Sequence, residues 1–287
     1  MKLEEIYSQN KQVISFEIFP PKNDFNEKVE NLISELKILM KYKPSLISVT
    51  HGAGGTYSGN SLTLVKMLKK NFDISLMPHY TCINATENSV KEFLNEIEKN
   101  GIENILALRG DIPKDVPYVC EDFRHADELV SFIKRNTNMS AAVAGYPEKH
   151  PEAITFEEDI KNLKNKTDKG SDFVFTQLFF DNDIFKSYFE KVRNICPRLT
   201  VIPGFLPLSS YTQITRMLSL CGTKIPEKLS EKIEKYRDNP EDFRKMGIET
   251  TTEQIKDLQN FGIKNFHLFT LNKSEQVSAI LDEIREY

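Results

Sequence analysis

The residues of this chain best suited to chemistry stand at the ends of short apolar runs. Glu17 lies near the end of the run 13–19 and is followed by Phe19-Pro20-Pro21. Thr50, His51 and Gly52-Ala53-Gly54-Gly55 close the run 46–50, and His79 lies inside 75–82. Arg109-Gly110-Asp111 ends 104–110, while Tyr146, Glu148 and His150 follow 140–146. Gln177 interrupts the phenylalanines of 173–180, Gln213 follows 200–207, and Asn272-Lys273 follow 265–270. A carboxylate can give or take a proton. Arginine and lysine can hold an anion. An amide can donate and accept towards either of two ligands. Taken singly, each residue also has a plain structural role. Glu17 can pair with a buried arginine, His79 can be a hydrogen-bonded core histidine, Arg109 and Asp111 can form a local ion pair, and the glycines can serve a tight turn.

The elements that would position these groups decide between the two readings. Eight runs (13–19, 46–50, 75–82, 104–110, 140–146, 173–180, 200–207 and 265–270) are almost continuously apolar, as strands covered on both faces must be. Between them lie stretches of helical spacing at 27–41, 88–99, 125–135, 156–168, 182–194 and 209–220. Residues 225–262 add room for two more helices before the eighth strand, and a last helix is expected near 274–285. This alternation predicts a (β/α)8 TIM barrel with extra helices before the last strand; a doubly wound sheet is the main alternative. In a barrel all the polar strand ends converge on one mouth, and so many polar groups there would be costly if they had no task. The expected organisation is one barrel over 1–287, with no regulatory domain.

Composition narrows the classes further. With 38 basic and 42 acidic residues the net charge is −4, which argues against a general nucleic-acid binder. No apolar run reaches membrane-span length, and the N-terminus MKLEEIYSQNKQ lacks a secretory core. The four cysteines, 82, 120, 196 and 221, contain no CxxC pair. A soluble, reduced, cytoplasmic protein is expected. A glycine-rich dinucleotide fingerprint, a phosphate-binding P-loop, an H-x-H metal motif and a G-x-S-x-G elbow are all absent from the sequence, and no metal is expected.

The segments ISFEIFPPK (14–22), SVTHGAGG (48–55), PHYTC (78–82), LALRGDIP (106–113), AGYPEKHPEA (144–153), FTQLFFD (175–181), IPGFLPL (202–208) and FHLFTLNK (266–273), in this order, resemble the methylenetetrahydrofolate reductase family in its short bacterial form. The resemblance covers all eight strands. It implies an FAD-containing barrel that reduces 5,10-methylenetetrahydrofolate to 5-methyltetrahydrofolate with NADH or NADPH, by ping-pong hydride transfer, in methionine biosynthesis. It also implies a homo-oligomer.

By the same resemblance Glu17 is the general acid, and its place between Phe16 and Phe19 predicts a raised pKa. Asp111 matches the aspartate near flavin and pterin, Gln177 a residue shared by folate and nicotinamide, and Thr50 a position on the nicotinamide side. The FAD positions are His51, Gly52, Ala53, His79, Arg109, Gly110, Asp111, His125, Ala126, Tyr146, His150, Ala153, Asp159, Asn162, Asn165 and Lys166, with Arg109, Lys166 and His150 offering charge to the pyrophosphate. Gln213 and Lys273 match folate contacts; Lys273 stands where many relatives have arginine, and His51 and His125 where tyrosine is frequent. Two alternatives stay open: a related flavin barrel such as a proline dehydrogenase, and a folate- or flavin-binding protein without turnover.

Overall fold

The computed structural model describes residues 1–21, 24–51, 59–111 and 122–284. Nine parallel strands form one sheet: β1 (Ile14–Ile18), β2 (Leu46–Val49), β3 (Ser75–Thr81), β4 (Asn104–Leu108), β5 (Ser140–Gly145), β6 (Phe173–Thr176), β7 (Thr200–Ile202), β8 (Gly204–Phe205) and β9 (Phe266–Phe269). Their order in the sheet is β7-β6-β5-β4-β3-β2-β1-β9-β8. The outermost pieces, β7 and β8, are halves of one run, the expected seventh strand. Pro203 divides them, because a residue without an N–H interrupts the ladder. The Pro203 carbonyl accepts the His267 N–H at 3.0 Å, and the Gly204 N–H donates to Thr176 Oγ1 at 3.0 Å. One half therefore pairs with β6 and the other with β9, and the barrel closes across the proline. A Cβ on Gly204 would lie 2.6 Å from the Thr176 carbonyl oxygen, so the closing point demands glycine.

Helices follow the strands on the outside: α2 (Phe25–Leu39), α3 (Gly59–Asn71), α4 (Glu87–Lys99), α5 (Ala126–Asn136), α6 (Phe156–Asp168), α7 (Asn182–Ile195), α8 (Tyr211–Cys221), α9 (Glu227–Tyr236), α10 (Pro240–Phe261) and α11 (Glu275–Ile284). Most turn an apolar stripe onto the sheet, while α8, α9 and the start of α10 pack on one another through Ile214, Leu229, Ile233, Phe243 and Met246. On α4 that stripe is Val90, Phe93, Leu94 and Ile97, all buried, at roughly 1.5–3 kcal/mol for each large side chain. The expected extra helices before the last strand are α9 and α10. No helix among the described residues is long and apolar enough to cross a membrane.

Strand parity separates two cores. Phe16, Ile18, Ile47, Val49, Val143 and Val174 face the helices. Leu46, Met77, Leu106, Ala142, Phe173, Phe175 and Ile202 fill the barrel interior. The interior is closed at the N-terminal end by a further helix, α1 (Leu3–Gln9), whose Leu3 and Ile6 join that inner cluster together with Val13. The Leu3 N–H donates to Asn104 Oδ1 at 2.8 Å, which ties the plug to the foot of β4.

Candidate active site

Parity places Ser15 and Glu17 on the inner face of β1, in register with His267 and Phe269 of β9 and with Leu46 and Ser48 of β2. His79 enters from β3. Glu17 Oε2 then lies 3.6 Å from His79 Nε2 and 3.5 Å from His267 Nε2. On its other side, His267 Nδ1 is 2.8 Å from Ser15 Oγ. The loop after β9 holds this strand end in place. Thr270 Oγ1 donates to the Glu17 carbonyl at 2.8 Å, and Asn272 both accepts from and donates to the Phe19 backbone, at 3.0 and 2.8 Å. Leu271 and Asn272 take positive φ to make that turn.

Burial pushes the Glu17 carboxyl up, but hydrogen bonding from His267 and the charge of the two imidazoles outweigh it, and the group lies below its ordinary range. This corrects the raised pKa expected from the flanking phenylalanines. Phe16 points away into the outer core and Phe19 is exposed, so the neighbours that count are imidazoles. Burial pushes His79 down to about 4, against partial support from Glu17. His79, expected to contact the cofactor, lies against Glu17.

A cleft of about 520 Å³ opens at the same end of the barrel, over β4 and β5 and the starts of α5 and α6. His51, Arg109, Gly110, Asp111, His125, Ala126, Tyr146, His150, Ala153, Asp159, Asn162, Asn165 and Lys166 all line it, each named from the sequence. Asp159, Asn162 and Lys166 come together because spacings of three and four share a helix face. Gly110 turns the chain at φ +88°, where a Cβ would meet Ile83 at 2.8 Å. Burial drives Lys166 down to about 8 and Tyr146 up to about 12. Lys166 Nζ donates to the Ala144 carbonyl at 2.6 Å. Burial also raises Asp159, which accepts the His150 N–H at 3.1 Å.

Two features of the cleft depart from expectation. Arg109 pairs with Glu152, not Asp111, through two hydrogen bonds of 2.5 and 2.6 Å. Burial, reinforced by Arg109, lowers the pKa of His150 and so disfavours the charge expected of it. The set still suits an anionic ligand with polar ring edges. Lys166 and Arg109 are cations, Asn162 and Asn165 can donate and accept, and Thr81 Oγ1 is buried without a partner among the described residues.

The remaining expected residues sit around the mouth. Thr50 accepts Ser61 Oγ on its carbonyl at 3.1 Å. Gln177 turns its Oε1 back to the Leu178 N–H at 2.9 Å. Gln213 is committed to its own loop, accepting from Ser209 N at 2.7 Å and donating to the Pro207 carbonyl at 3.1 Å. Lys273 is exposed. Gly52 and Ala53, like Cys120, lie outside the described residues; Cys82 and Cys196 are buried and Cys221 is half-buried. Sequence reasoning missed Ser15, His267, Thr81 and Glu152. The signal for the first two was present: Ser15 and Glu17 are two apart on one strand, and His267 sits in the eighth run.

A family model described as Methylenetetrahydrofolate reductase matches residues 2–285. The chain is 35% identical over 294 residues to Methylenetetrahydrofolate reductase (NADH) 1 of Arabidopsis thaliana, covering 98% of this chain and 49% of the relative. It thus spans about half the length of that plant relative. It is 32% identical to 5,10-methylenetetrahydrofolate reductase of Escherichia coli K12, over 93% of this chain and 88% of the relative. Among solved structures, a Clostridium thermocellum protein described as binding two copies of 5-methyl-5,6,7,8-tetrahydrofolic acid superposes with TM-score 0.72 at 14% identity, over 100% of this chain and 98% of that one. At that identity the likeness speaks for the fold alone, and the fold agrees with the barrel described above. Sequence match over nearly the whole chain and barrel architecture converge: the chain belongs to the methylenetetrahydrofolate reductase family.

Proposed function

We propose that this chain reduces 5,10-methylenetetrahydrofolate to 5-methyltetrahydrofolate, taking the hydride from NADH or NADPH by way of bound FAD, on the route to methionine. The names of its relatives support the reaction, and the plant relatives' names favour NADH. The observation that carries the reading is Glu17: a carboxylate held between two imidazoles at the barrel mouth, at the same end as a cleft with two cations and a buried hydroxyl that has no partner among the described residues.

FAD, when bound, would accept the hydride from the nicotinamide and hand it to the folate. Its pyrophosphate would be held by Lys166 and by Arg109 once the exposed Glu152 swings away, and its polar edges by Asn162, Asn165 and the Thr81 hydroxyl. Asp111, exposed at the end of β4, would face the cationic iminium of the opened substrate and stabilise it. Gln177 and Lys273 would meet the folate.

Opening the methylene bridge requires a proton on a folate nitrogen. In the free site the imidazoles favour the Glu17 carboxylate. A pterin ring over the mouth removes the remaining water from a side chain that is 21% exposed, and that desolvation raises its affinity for a proton. Glu17 would thus be charged when the mouth is open and an acid when it is covered.

The test is Glu17→Gln, which keeps shape and polarity and removes the acid. With positioned acid–base groups contributing about 10²–10⁴-fold, the folate half-reaction should fall by that factor, while reduction of the flavin by NADH changes less than about threefold. A folate step within tenfold of wild type would remove Glu17 from the proton transfer. A protein that binds flavin and folate but never turns over would point to the binding-protein alternative.

A further inference from the structure

We propose that Gln276, on α11, is a positioning residue: it anchors the peptide between Leu208 and Ser209 and thereby makes Gln213 offer an N–H, not an oxygen, to the ligand at the barrel mouth. The consequence for the substrate rests on the reading given above, in which Gln213 matches a folate contact; the effect on the peptide does not.

The loop from β8 to α8 is held by three amide contacts in a row. The Pro207 carbonyl accepts from Gln213 Nε2 at 3.1 Å, the Leu208 carbonyl accepts from Gln276 Nε2 at 2.7 Å, and the Ser209 N–H donates to Gln213 Oε1 at 2.7 Å. The Leu208 carbonyl and the Ser209 N–H belong to one planar peptide unit and point in opposite directions. Fixing the carbonyl therefore aims the N–H. Gln276 does the fixing, from a helix 68 residues further along the chain.

The direction of that N–H decides the direction of Gln213. A peptide N–H can only donate and a carbonyl can only accept. With the Ser209 N–H on one side and the Pro207 carbonyl on the other, the two ends of the Gln213 amide cannot be exchanged. Ser209 Oγ adds a second donor to Oε1 at 2.9 Å. Both lone pairs of Oε1 are then in use, while Nε2 keeps one hydrogen uncommitted among the described residues. A ligand at this side chain meets a donor, so the group it selects is an acceptor: a ring or amide carbonyl, or a carboxylate. If the peptide turned over, the Leu208 carbonyl would face Oε1, two oxygens would be opposed, and the amide would have to leave its place.

Two helices are shaped to prevent that. Gly247 lies inside α10, where glycine is a poor helix former, yet a Cβ there would overlap the Leu208 oxygen. The helix backbone is pressed against the carbonyl, and glycine alone admits it. The start of α11 is fixed as well. The Ser274 N–H and hydroxyl both donate to Glu35 of α2, at 2.7 and 2.5 Å, and Val277, Ile280 and Leu281 are buried. Gln276 thus projects from a fixed base. Lys273, the other residue matched to a folate contact, stands three positions before it. Gln276 therefore ties together the two loops expected at the folate.

The experiment uses the full-length protein, as purified, and two variants. Gln276→Met keeps the length of the side chain and removes the donor; Gln276→Lys supplies a donor again. Amide hydrogen exchange at Ser209 should rise at least about fivefold in Gln276→Met, the size of one neutral hydrogen bond, and return towards wild type in Gln276→Lys. The KM for 5,10-methylenetetrahydrofolate should rise about three- to tenfold in Gln276→Met, with kcat and the rate of flavin reduction by NADH within about twofold of wild type. In a Gln213→Ala background the same change should leave the KM unmoved. Unchanged Ser209 exchange in Gln276→Met, no recovery in Gln276→Lys, or a KM effect that survives Gln213→Ala would each overturn the proposal. Faster exchange with an unmoved KM would uphold the anchor and overturn the folate role of Gln213. Because the exchange measurement needs no folate, the anchor stands or falls apart from the assigned reaction.

Discussion

Replacing His79 by glutamine should flatten the acid side of the stability curve. The side chain is 6% exposed, and burial lowers its pKa from 6.5 to about 4. The unfolded chain therefore takes up a proton near pH 6.5 that the folded chain refuses until about pH 4. A base depressed in this way contributes stability that is complete above the unfolded pKa and is lost as pH falls through that window. Each pH unit of difference is about 1.4 kcal/mol, so the whole window is worth about 3 kcal/mol. Neutral glutamine has nothing to titrate. Urea unfolding of both proteins at pH 7.5, 6.5, 5.5 and 5.0 measures the gap directly. At pH 7.5 the variant is offset by its lost packing alone. Between pH 6.5 and 5.0 the wild type should lose about 2 kcal/mol more than the variant. A gap that stays constant within about 0.5 kcal/mol would mean that His79 titrates normally and is not sealed against Glu17 in the way described.

Lys166→Met should trade binding for stability. Holding a buried ammonium whose pKa is driven to about 8 is unfavourable, so the ligand-free variant should be more stable by about 1–3 kcal/mol and melt a few degrees higher, while flavin titration shows binding weakened at least about tenfold. Melting and affinity that fall together would deny the lysine its charged role. Glu152→Gln should do the opposite to the cofactor. It frees Arg109 from a partner whose side chain is 55% exposed, a pair worth under about 1 kcal/mol, and should tighten FAD binding by a few-fold; weaker binding would show that Glu152 itself holds the ligand.

Much of the fold was legible because strands covered on both faces leave a nearly continuous apolar trace. What the trace hid follows from chemistry at single residues. Pro203 splits the seventh run without changing its apolar character. The helix α1 is only 7 residues long with two buried side chains, too few for a periodic signal. The helix α3 follows a glycine-rich stretch and reads GNSLTLVKMLKKN, a weakly patterned segment. In the site, strand-end logic located the cleft because parallel strands deliver all their C-terminal ends to one face. Pairing inside it was not readable. That Arg109 reaches Glu152, 43 residues on, depends on how two loops fold over each other. That Glu17 meets imidazoles instead of phenylalanines depends on the β1–β9 register, which joins residues about 250 apart.

The most direct measurement of the central claim is an anaerobic visible spectrum of the purified protein, taken before NADH, after it, and again after 5,10-methylenetetrahydrofolate. The account predicts a yellow protein that bleaches with NADH and regains its colour when the folate is added. A protein that takes up FAD and bleaches, yet stays bleached with the folate, would contradict the assigned reaction while leaving the flavin cleft standing. A protein that cannot take up FAD at all would contradict both.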